Sequence, residues 1–476
     1  MQKNPIETRA KPDERLGLVR GLGGWAAGAI VVGTMIGTGI FLKPSEMTAE
    51  AGSVTVVFAA WIVGGLLSMF GALSYAELGA AIPEAGGEYA YLRRGLGPVW
   101  GFLFGWMHSI VGRPASVASI AAGLLRFWGF LIPVVAAPLY TFHFPLPFFT
   151  AERSQFVFTR AQPLAVVAVV LMTLINYLGV RFGGQVQVAL TFVKIASVLA
   201  IVGLGFGLAH GRAANFQPLW PSPLGWGTLT GFLAALAASL WAYDGWEDLS
   251  LVGSEVRDPG RNIPRALIGG VAFVAIVFLL FSAVCFYALP FRAVATSEHV
   301  ASDVFASFAG RRAALWITLA MMISALGTLN SSVLSGARVD YAMARDGIFF
   351  RFAATIHPRF RTPGNALVFQ LCLASLMTLT GTFEDLTSLF IFATWIFYGL
   401  AVVAMFRMRR IEPDLPRPYR TWGYPVVPAL FLVGSIALTA SLWFARPVRS
   451  SIGLALILLG LVFYQGWRKR GIRATK

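Results

Sequence analysis

Apolar runs separated by short polar segments recur along this chain from about residue 22 to residue 467. Most runs are about 20 residues long, which is the length that an α-helix needs to cross a bilayer and too long for the strands of a membrane β-barrel. The pattern predicts an all-α polytopic membrane protein with twelve spans, numbered here in chain order. Their expected bounds are 22–42, 53–80, 98–130, 161–180, 184–208, 226–256, 264–289, 312–344, 364–380, 385–406, 424–445 and 449–467.

The first span contains a glycine pattern that is unusual for a helix, Gly33–Phe41 with the sequence GTMIGTGIF. Each glycine in a helix interior costs about 1 kcal/mol relative to alanine, so we expect the helix to break here. In hydrocarbon, a break leaves backbone groups without partners unless they line a polar cavity enclosed by protein. The pattern therefore predicts a cavity, and the alternative is that Gly37 and Gly39 only permit close helix packing.

A second interruption is expected in the sixth span, where Trp241–Asp248 (WAYDGWED) places three carboxylates within five residues. Each carboxylate costs about 2.5–3.5 kcal/mol in a membrane helix unless it faces a cavity or a cation. In the alternative, the span ends near Gly245 and leaves Glu247 and Asp248 at the membrane surface. For Asp244 we favour a functional role, because the apolar sequence continues beyond it.

Interruptions in the first and sixth spans are typical of an inverted repeat of five spans. In that architecture the N-terminal ends of half-helices attract an anionic group, and free backbone carbonyls accept from a cationic group. A zwitterion such as an amino acid matches both polarities. The corresponding division of the chain is an N-terminal tail 1–21, repeats 22–208 and 226–406, two peripheral helices 424–467 and a C-terminal tail 468–476.

Composition and charge fit a membrane protein: 57% of the 476 residues are hydrophobic, 13% are charged and the mean hydropathy is +0.70. The basic residues concentrate in tails and loops that lie inside if both termini are cytoplasmic, which agrees with the positive-inside rule. The net charge of +16 therefore reflects topology, and we expect no nucleic-acid partner. The first 21 residues lack a small-residue cleavage signal, so the first span is expected to stay in a cytoplasmic membrane.

The cysteines and histidines offer no catalytic or metal-binding arrangement. Cys285 and Cys372 lie in predicted spans, and the five histidines are scattered over different segments. We therefore expect neither an enzyme nor a metal or cofactor site, and two broken helices favour alternating access over a channel pore. The outward segment 131–160 contains four prolines and no cysteine, and we expect a structured cap or an irregular connector there.

Several short motifs occur in order along the predicted spans. They are Gly33–Phe41, Ser74–Gly79, Ile82–Tyr91, Arg113–Ser116, Trp241–Trp246, Glu255–Pro264, Asn330–Arg338 and Ala344–Gly347. Together they resemble the L-type amino acid exchanger family of the amino acid-polyamine-organocation superfamily, over nearly the whole chain. The resemblance implies a fold like that of the leucine transporter, with ten core helices in two inverted repeats, broken first and sixth helices, and two peripheral helices.

By analogy with that family, the substrate would lie between the two breaks. Its α-carboxylate would meet backbone N–H groups of Thr38 and Gly39, and its α-amino group would meet carbonyls near Ile36, Trp241 and Ala242. Trp241 would close over the substrate as an aromatic gate, although a tryptophan can also simply anchor a helix at the membrane interface. The full set of expected substrate-binding residues is Ile36, Gly37, Thr38, Gly39, Trp241, Ala242, Asp244 and Glu247.

Lys194 lies about ten residues into the fifth span, too deep for its ammonium group to reach the interface easily. In related exchangers a lysine at the matching position takes the place of a sodium ion, and it bridges the break in the first span to a hydroxyl on the eighth. Here the candidate hydroxyls are Ser331, Ser332 and Ser335. The resemblance thus implies sodium-independent transport, and the alternatives for the lysine are a structural ion pair or a proton carrier.

Asp244 departs from the family members that prefer neutral substrates, which usually carry a small residue there. The sequence around it resembles exchangers of cationic and neutral amino acids, in which the aspartate faces a basic side chain. A carboxylate in a low-dielectric site attracts a cationic substrate, whereas the alternative is that Asp244 orients gate residues by hydrogen bonding. We interpret Arg113 as structural or as shaping the cytoplasmic path, and His108 as a packed polar residue.

These features together predict a sodium-independent secondary transporter of neutral or cationic L-amino acids, working as an exchanger by alternating access. The alternative is a proton-coupled symporter, with Asp244, Glu247, Lys194 and His108 as titratable candidates, and a polyamine or other organic-cation transporter is less favoured. Animal exchangers of this kind join a glycoprotein subunit through a cysteine in the outward loop. Because 131–160 has none, no disulfide-linked partner is expected.

Overall fold

The computed structural model describes residues 17–132, 134, 137–143, 155–221, 224–380, 383–445 and 447–474. The described part of the chain is built from α-helices, apart from short 3₁₀ and π segments and one antiparallel pair of strands. In chain order the helices are α1 Gly24–Met35, α2 Gly39–Ala51, α3 Val54–Ala81, α4 Glu88–Gly95, α5 Pro98–Met107, α6 Arg113–Leu131, α7 Ala161–Tyr177, α8 Val180–Leu208, α9 Trp226–Ala242, α10 Asp248–Leu251, α11 Pro259–Ala288, α12 Phe291–Thr296, α13 Val300–Ala309, α14 Arg311–Arg345, α15 Gly364–Thr380, α16 Phe383–Ile411, α17 Val426–Ala445 and α18 Pro447–Ala474.

Nine helical segments of the described chain are long and apolar enough to cross a membrane. They coincide with nine of the twelve predicted spans, and the other three coincide with the apolar helices α7, α9 and α15, each of 17 residues. The polytopic helical class is therefore confirmed. The count of twelve spans and the division into two inverted repeats stay predictions.

The first predicted span consists of two helices, α1 and α2, separated by Ile36–Thr38, which agrees with the predicted break. Its expected end at residue 42 is wrong, because α2 continues through Lys43 and Glu46 to Ala51. The side chain of Lys43 is only 7% exposed, and its ammonium group forms an ion pair with Glu46. This pairing lowers the free-energy cost of burying the lysine side chain in a packed helix. The segment after residue 42, which the sequence predicts to be an outer loop, is therefore helical.

The sixth predicted span also consists of two helices, since α9 ends at Ala242 and α10 begins at Asp248. Between them, Gly245 has a φ of +102°, which glycine adopts without strain. A Cβ atom at Gly245 would lie 2.4 Å from Thr34 Cγ2, so the two breaks are in direct contact. Glu247 and Asp248 are only 3% and 0% exposed, which contradicts the alternative that they lie at the surface.

The broken helices lie at the centre of the bundle. Helix α1 packs against α8, α11 and α14, and helix α9 packs against α2 and α3. Glycine permits the closest of these approaches, because a Cβ atom at Gly39 would lie 3.0 Å from Ala242 Cα. Helices α17 and α18 pack against α16, and their membrane-length windows are only 22% buried. They are therefore peripheral to the bundle.

The segment 131–160 contains the one sheet of the described chain. Strand β1, Pro138–His143, pairs antiparallel with strand β2, Gln155–Thr159, and Pro138 lies opposite Thr159. Residues 144–154 lie outside the described part. The paired strands agree with the expectation of a structured element rather than an irregular connector.

Backbone hydrogen bonds tie the start of α1 to the chain that follows α10. The N–H of Leu22 donates to the carbonyl oxygen of Glu255 (3.0 Å), and the N–H of Arg257 donates to that of Leu22 (2.8 Å). The loop before α4 joins the same region, where the N–H of Gly86 donates to the carbonyl oxygen of Leu251 (2.9 Å). These contacts close one end of the bundle, called the N-terminal side below.

Candidate functional site

A cavity of about 40 Å³ lies between the two helix breaks. All the predicted substrate residues except Ile36 contribute to its wall. The lining residues are Thr34, Met35, Gly37, Thr38, Gly39, Arg113, Ser116, Ser119, Ile120, Trp241, Ala242, Asp244, Gly245, Glu247, Thr328 and Ser332.

The N-terminal end of α2 borders the cavity through Thr38 and Gly39. The first N–H groups of a helix have no acceptor within the helix, and they carry partial positive charge. The hydroxyl of Thr38 is buried and has no hydrogen-bond partner among the described residues. This end of the cavity therefore offers donors that suit an anionic group such as a carboxylate.

Lys194 is completely buried, and its ammonium group makes three hydrogen bonds. It donates to the carbonyl oxygens of Gly33 (2.5 Å) and Ile36 (2.7 Å) and to the hydroxyl oxygen of Thr328 (3.1 Å). An ammonium group has three donors, so all of them are used. The lysine thus joins α8 and α14 to the first break, where it supplies a charged donor to two backbone carbonyls.

Ile36 is placed differently from its prediction. Its carbonyl oxygen accepts hydrogen bonds from Lys194 and from Ser324 Oγ (3.2 Å), and Ile36 does not line the cavity. A carbonyl that already holds an ammonium group and a hydroxyl is not available to the amino group of a ligand. The other two residues expected to receive that amino group, Trp241 and Ala242, do line the cavity.

The hydroxyl in contact with the lysine is that of Thr328, so the expectation for Ser331, Ser332 and Ser335 is wrong. Ser331 instead accepts from Thr34 (2.5 Å), Ser335 donates to the carbonyl oxygen of Ser331 (3.0 Å), and Ser332 lines the cavity. Thr328 lies one turn before Ser332 on the same helix face. Thr328 could have been considered from the sequence, because it lies four residues before Ser332, one of the predicted serines.

Acidic side chains form the part of the wall that belongs to the sixth-span break. Asp244 accepts a hydrogen bond from the hydroxyl of Tyr398 (2.9 Å), and the carboxylate of Glu247 accepts one from the N–H of Gly245 (3.1 Å). Both carboxylates line the cavity. Among the described residues, neither of them forms an ion pair.

Arg113 is a buried basic residue of the cavity wall. Its guanidinium group pairs with Asp248, including an Nη1–Oδ2 hydrogen bond of 3.1 Å, and its Nε donates to His108 Nε2 (3.2 Å). The resemblance implies a basic partner for Asp244, but the carboxylate that Arg113 contacts is that of Asp248. Asp244 and Glu247 therefore have no cationic partner among the described residues, and a cationic group in the cavity would supply one.

A larger cavity of about 740 Å³ opens on the side of the bundle opposite the N-terminal side. We call it the outer cavity, and its lining includes Lys43, Glu46, Glu50 and Trp226. Trp241 lines both this cavity and the one between the breaks. Trp241 therefore lies at the boundary between the two cavities.

A buried ion pair lies on the N-terminal side of the cavity. The Nε and Nη2 atoms of Arg338 donate to the two carboxylate oxygens of Glu255, at 2.6 and 3.1 Å, and both side chains are 0% exposed. Arg338 belongs to α14, and Glu255 belongs to the 3₁₀ turn Gly253–Glu255 that follows α10. The pair thus joins α14 to the segment after α10 on this side of the cavity.

A helical membrane bundle in which polar residues line a cavity between two interrupted helices has the architecture of a secondary transporter. The chain is a multi-pass membrane protein and not an enzyme. It belongs to the family described as "Amino acid permease", whose model matches residues 22–464. The resemblance to the amino acid-polyamine-organocation superfamily is therefore confirmed.

Similar proteins span nearly the whole chain. The chain is 32% identical over 457 residues to the serine/threonine exchanger SteT of Bacillus subtilis, which covers 95% of this chain and 98% of that protein. It is also 32% identical over 459 residues to the b(0,+)-type amino acid transporter 1 of Homo sapiens, with 95% and 87% covered. The cystine/glutamate transporter of Homo sapiens is 28% identical over 461 residues, with 97% and 86% covered.

Proposed function

We propose that this protein is a sodium-independent exchanger of L-amino acids that alternates access to the cavity between the two helix breaks. The observation that carries the proposal is the ammonium group of Lys194, which is bound by Gly33, Ile36 and Thr328 at the first break. Exchange is supported by the similarity to SteT, which is described as a serine/threonine exchanger.

Sodium independence is supported by the chemistry around this lysine. In transporters with broken helices, unwound backbone carbonyls coordinate the coupling ion. Here the carbonyl oxygens of Gly33 and Ile36 bind an ammonium group that is part of the protein. A sodium ion at this place would meet a like charge at contact distance, which is strongly unfavourable in a dry site. Amino acid gradients would then drive transport.

The proposed substrate is held by its backbone groups. Its α-carboxylate would be bound at the N-terminal end of α2 by Thr38 and Gly39, and its α-amino group would lie toward the carbonyls of Trp241 and Ala242. The unpartnered hydroxyl of Thr38 supports this orientation. It also makes a polyamine, which carries no anionic group, a poorer substrate. The carboxylate of Asp244 supports transport of cationic as well as neutral amino acids.

A proton-coupled amino acid symporter is the second candidate. The crowding of Asp244, Glu247 and Asp248 in one break supports it, because the cavity-lining Arg113 contacts Asp248 alone among these three. A carboxylate that takes up and releases a proton in each cycle would couple transport to the proton gradient.

We also propose that the protein lies in the cytoplasmic membrane with both termini in the cytoplasm, with repeats 22–208 and 226–406 and two peripheral helices in 424–467. The distribution of lysine and arginine supports this orientation. The N-terminal side would then face the cytoplasm, and the outer cavity would face outward. The lack of cysteine in 131–160 supports a transporter without a disulfide-linked subunit.

The test is transport by the purified protein in sodium-free liposomes. Uptake of labelled arginine and labelled leucine is measured with the lumen either empty or loaded with unlabelled amino acid, at two external pH values. Exchange predicts uptake that requires internal amino acid and does not change with pH. Uptake into empty liposomes that rises with external acidity would contradict exchange and support the symporter. A requirement for added sodium would contradict the proposed role of Lys194.

A further inference from the structure

We propose that Lys43 is a positioning residue of the outer gate, and that its ammonium group holds the indole ring of Trp241 closed between the outer cavity and the substrate cavity. This inference rests on the proposed function, in which Trp241 is that gate. Lys43 is not a predicted site residue, because the sequence places it in an outer loop.

The contact joins the two broken helices on the outer side of the site. The Nζ atom of Lys43, on α2, lies 5.0 Å from the centroid of the Trp241 ring, on α9. A cation within about 6 Å of an indole centroid is attracted by the negative face of the ring. Because Trp241 lines both cavities, an attraction that fixes this ring also fixes the barrier between them.

Glu46 positions the lysine. Its carboxylate forms an ion pair with Lys43 one turn along α2, and its side chain is 50% exposed while that of Lys43 is only 7% exposed. The lysine is therefore confined between a carboxylate at the mouth of the outer cavity and an aromatic face below it. A cation–π contact is strongest when the cation is desolvated, and the burial of Lys43 meets this condition.

Opening to the outer cavity requires the Trp241 ring to leave this position. At one edge of the ring, Gly39 brings α2 against the last turn of α9, where a Cβ atom would lie 3.0 Å from Trp241 Cζ3 and from Ala242 Cα. Displacement of the ring separates it from the Nζ atom of Lys43, so their attraction opposes opening. Loss of the ammonium group is expected to raise the open fraction about 2- to 30-fold, the range that corresponds to one cation–π contact.

The experiment measures access to the substrate cavity in liposomes. Cys285 and Cys372 are replaced by alanine, and Ser116→Cys introduces a reporter in the wall of the substrate cavity, whereas Thr230→Cys introduces a control in the outer cavity. Labelling rates are measured with two membrane-impermeant methanethiosulfonates, one carrying a sulfonate and one a trimethylammonium group. Lys43→Met removes the charge and keeps the length of the side chain, and Lys43→Arg keeps the charge.

Lys43→Met is expected to raise the labelling rate of Ser116→Cys about 2- to 30-fold with both reagents and to leave that of Thr230→Cys unchanged. Lys43→Arg is expected to restore the slow rate. Equal rates in Lys43→Met and its parent, opposite changes with the two reagents, or faster labelling of both cysteines would overturn the proposal. The proposed function is tested separately, since it fails if saturating arginine and leucine do not slow labelling of Ser116→Cys in the parent.

Discussion

Arg338 donates two hydrogen bonds to the carboxylate of Glu255, and neither side chain has any exposed surface. A buried ion pair of this kind gains little over an apolar pair, because both charges lose their hydration. Removing one partner is far more costly, since the other charge is left buried and uncompensated. The pair therefore holds α14 to the segment after α10 whenever the N-terminal side is closed.

Glu255→Gln is expected to destabilise the protein by about 3–5 kcal/mol, because it leaves the guanidinium group of Arg338 without a counter-charge. The measurement is the midpoint of thermal unfolding of the purified protein in detergent. Replacing both residues, Glu255→Leu with Arg338→Met, is expected to recover most of the loss. The matched control is Glu412→Gln, which breaks a partly exposed pair with Arg94 and is expected to cost at most about 1 kcal/mol. Equal midpoints for Glu255→Gln and Glu412→Gln would contradict this account.

Lys194→Ala is expected to abolish transport or to uncouple it, because the carbonyl oxygens of Gly33 and Ile36 lose the ammonium group that they share. Two substitutions of Thr328, whose hydroxyl contacts Lys194, distinguish the effect of side-chain size from that of hydrogen bonding. Thr328→Ser is expected to keep transport, and Thr328→Val to lose most of it. Exchange of labelled leucine in sodium-free liposomes measures each variant, and a wild-type rate in Lys194→Ala would refute the role of a sodium substitute.

Asp244→Asn is expected to raise the KM for arginine about 10- to 150-fold more than the KM for leucine. This range corresponds to the free energy of a hydrogen bond to a charged group. The variant removes a charge from the cavity wall and keeps a side chain of the same size. Tyr398→Phe is the matched control, because it removes the hydrogen bond to Asp244 and leaves the charge. Transport kinetics for both substrates decide the question. An equal loss for arginine and leucine would mean that the aspartate only orients the break.

Gly245→Ala is expected to reduce transport about 5- to 150-fold. The new Cβ atom would lie 2.4 Å from Thr34 Cγ2, and the φ of +102° is strained for alanine. Gly269→Ala, in helix α11, is the control, because no atom lies within 4 Å of the added carbon. Alanine is also the better helix former there. Initial rates normalised to the amount of protein in the liposomes give the comparison, and equal rates in the two variants would contradict a contact between the breaks.

Much of the fold could be predicted from the sequence. The thickness of the bilayer fixes the length of the helices, and residues that disfavour a membrane helix mark where a helix is interrupted. The expected span 364–380 matches α15, and both breaks fall where glycines or carboxylates interrupt an apolar run. The extension of α2 to Ala51 could not be predicted in this way. Lys43 and Glu46 look like loop residues one at a time, and only their pairing over Trp241 makes a helix there favourable.

The site was less predictable, because the choice of partner depends on how each helix is rotated about its axis. Residues contiguous with a break, such as Thr38 and Trp241, could be placed in the cavity from the sequence alone. The hydroxyl that contacts the lysine could not, since each residue along α14 turns by about 100° and three serines competed with Thr328. The pairing of Arg113 with Asp248 joins residues 135 positions apart, and no local pattern selects it over Asp244.

The backbone of Leu22 is bonded to that of Glu255 and Arg257, and on the opposite side α2 touches α9 at Gly39 and Ala242. Each half of the first broken helix is thus attached to the matching half of the sixth. Rotation about the breaks would move these two rigid pairs in opposite senses, so that the pathway widens at one end only while it narrows at the other. Such a linkage would keep the two ends of the pathway from being open together, so that no continuous pore for ions would form during turnover.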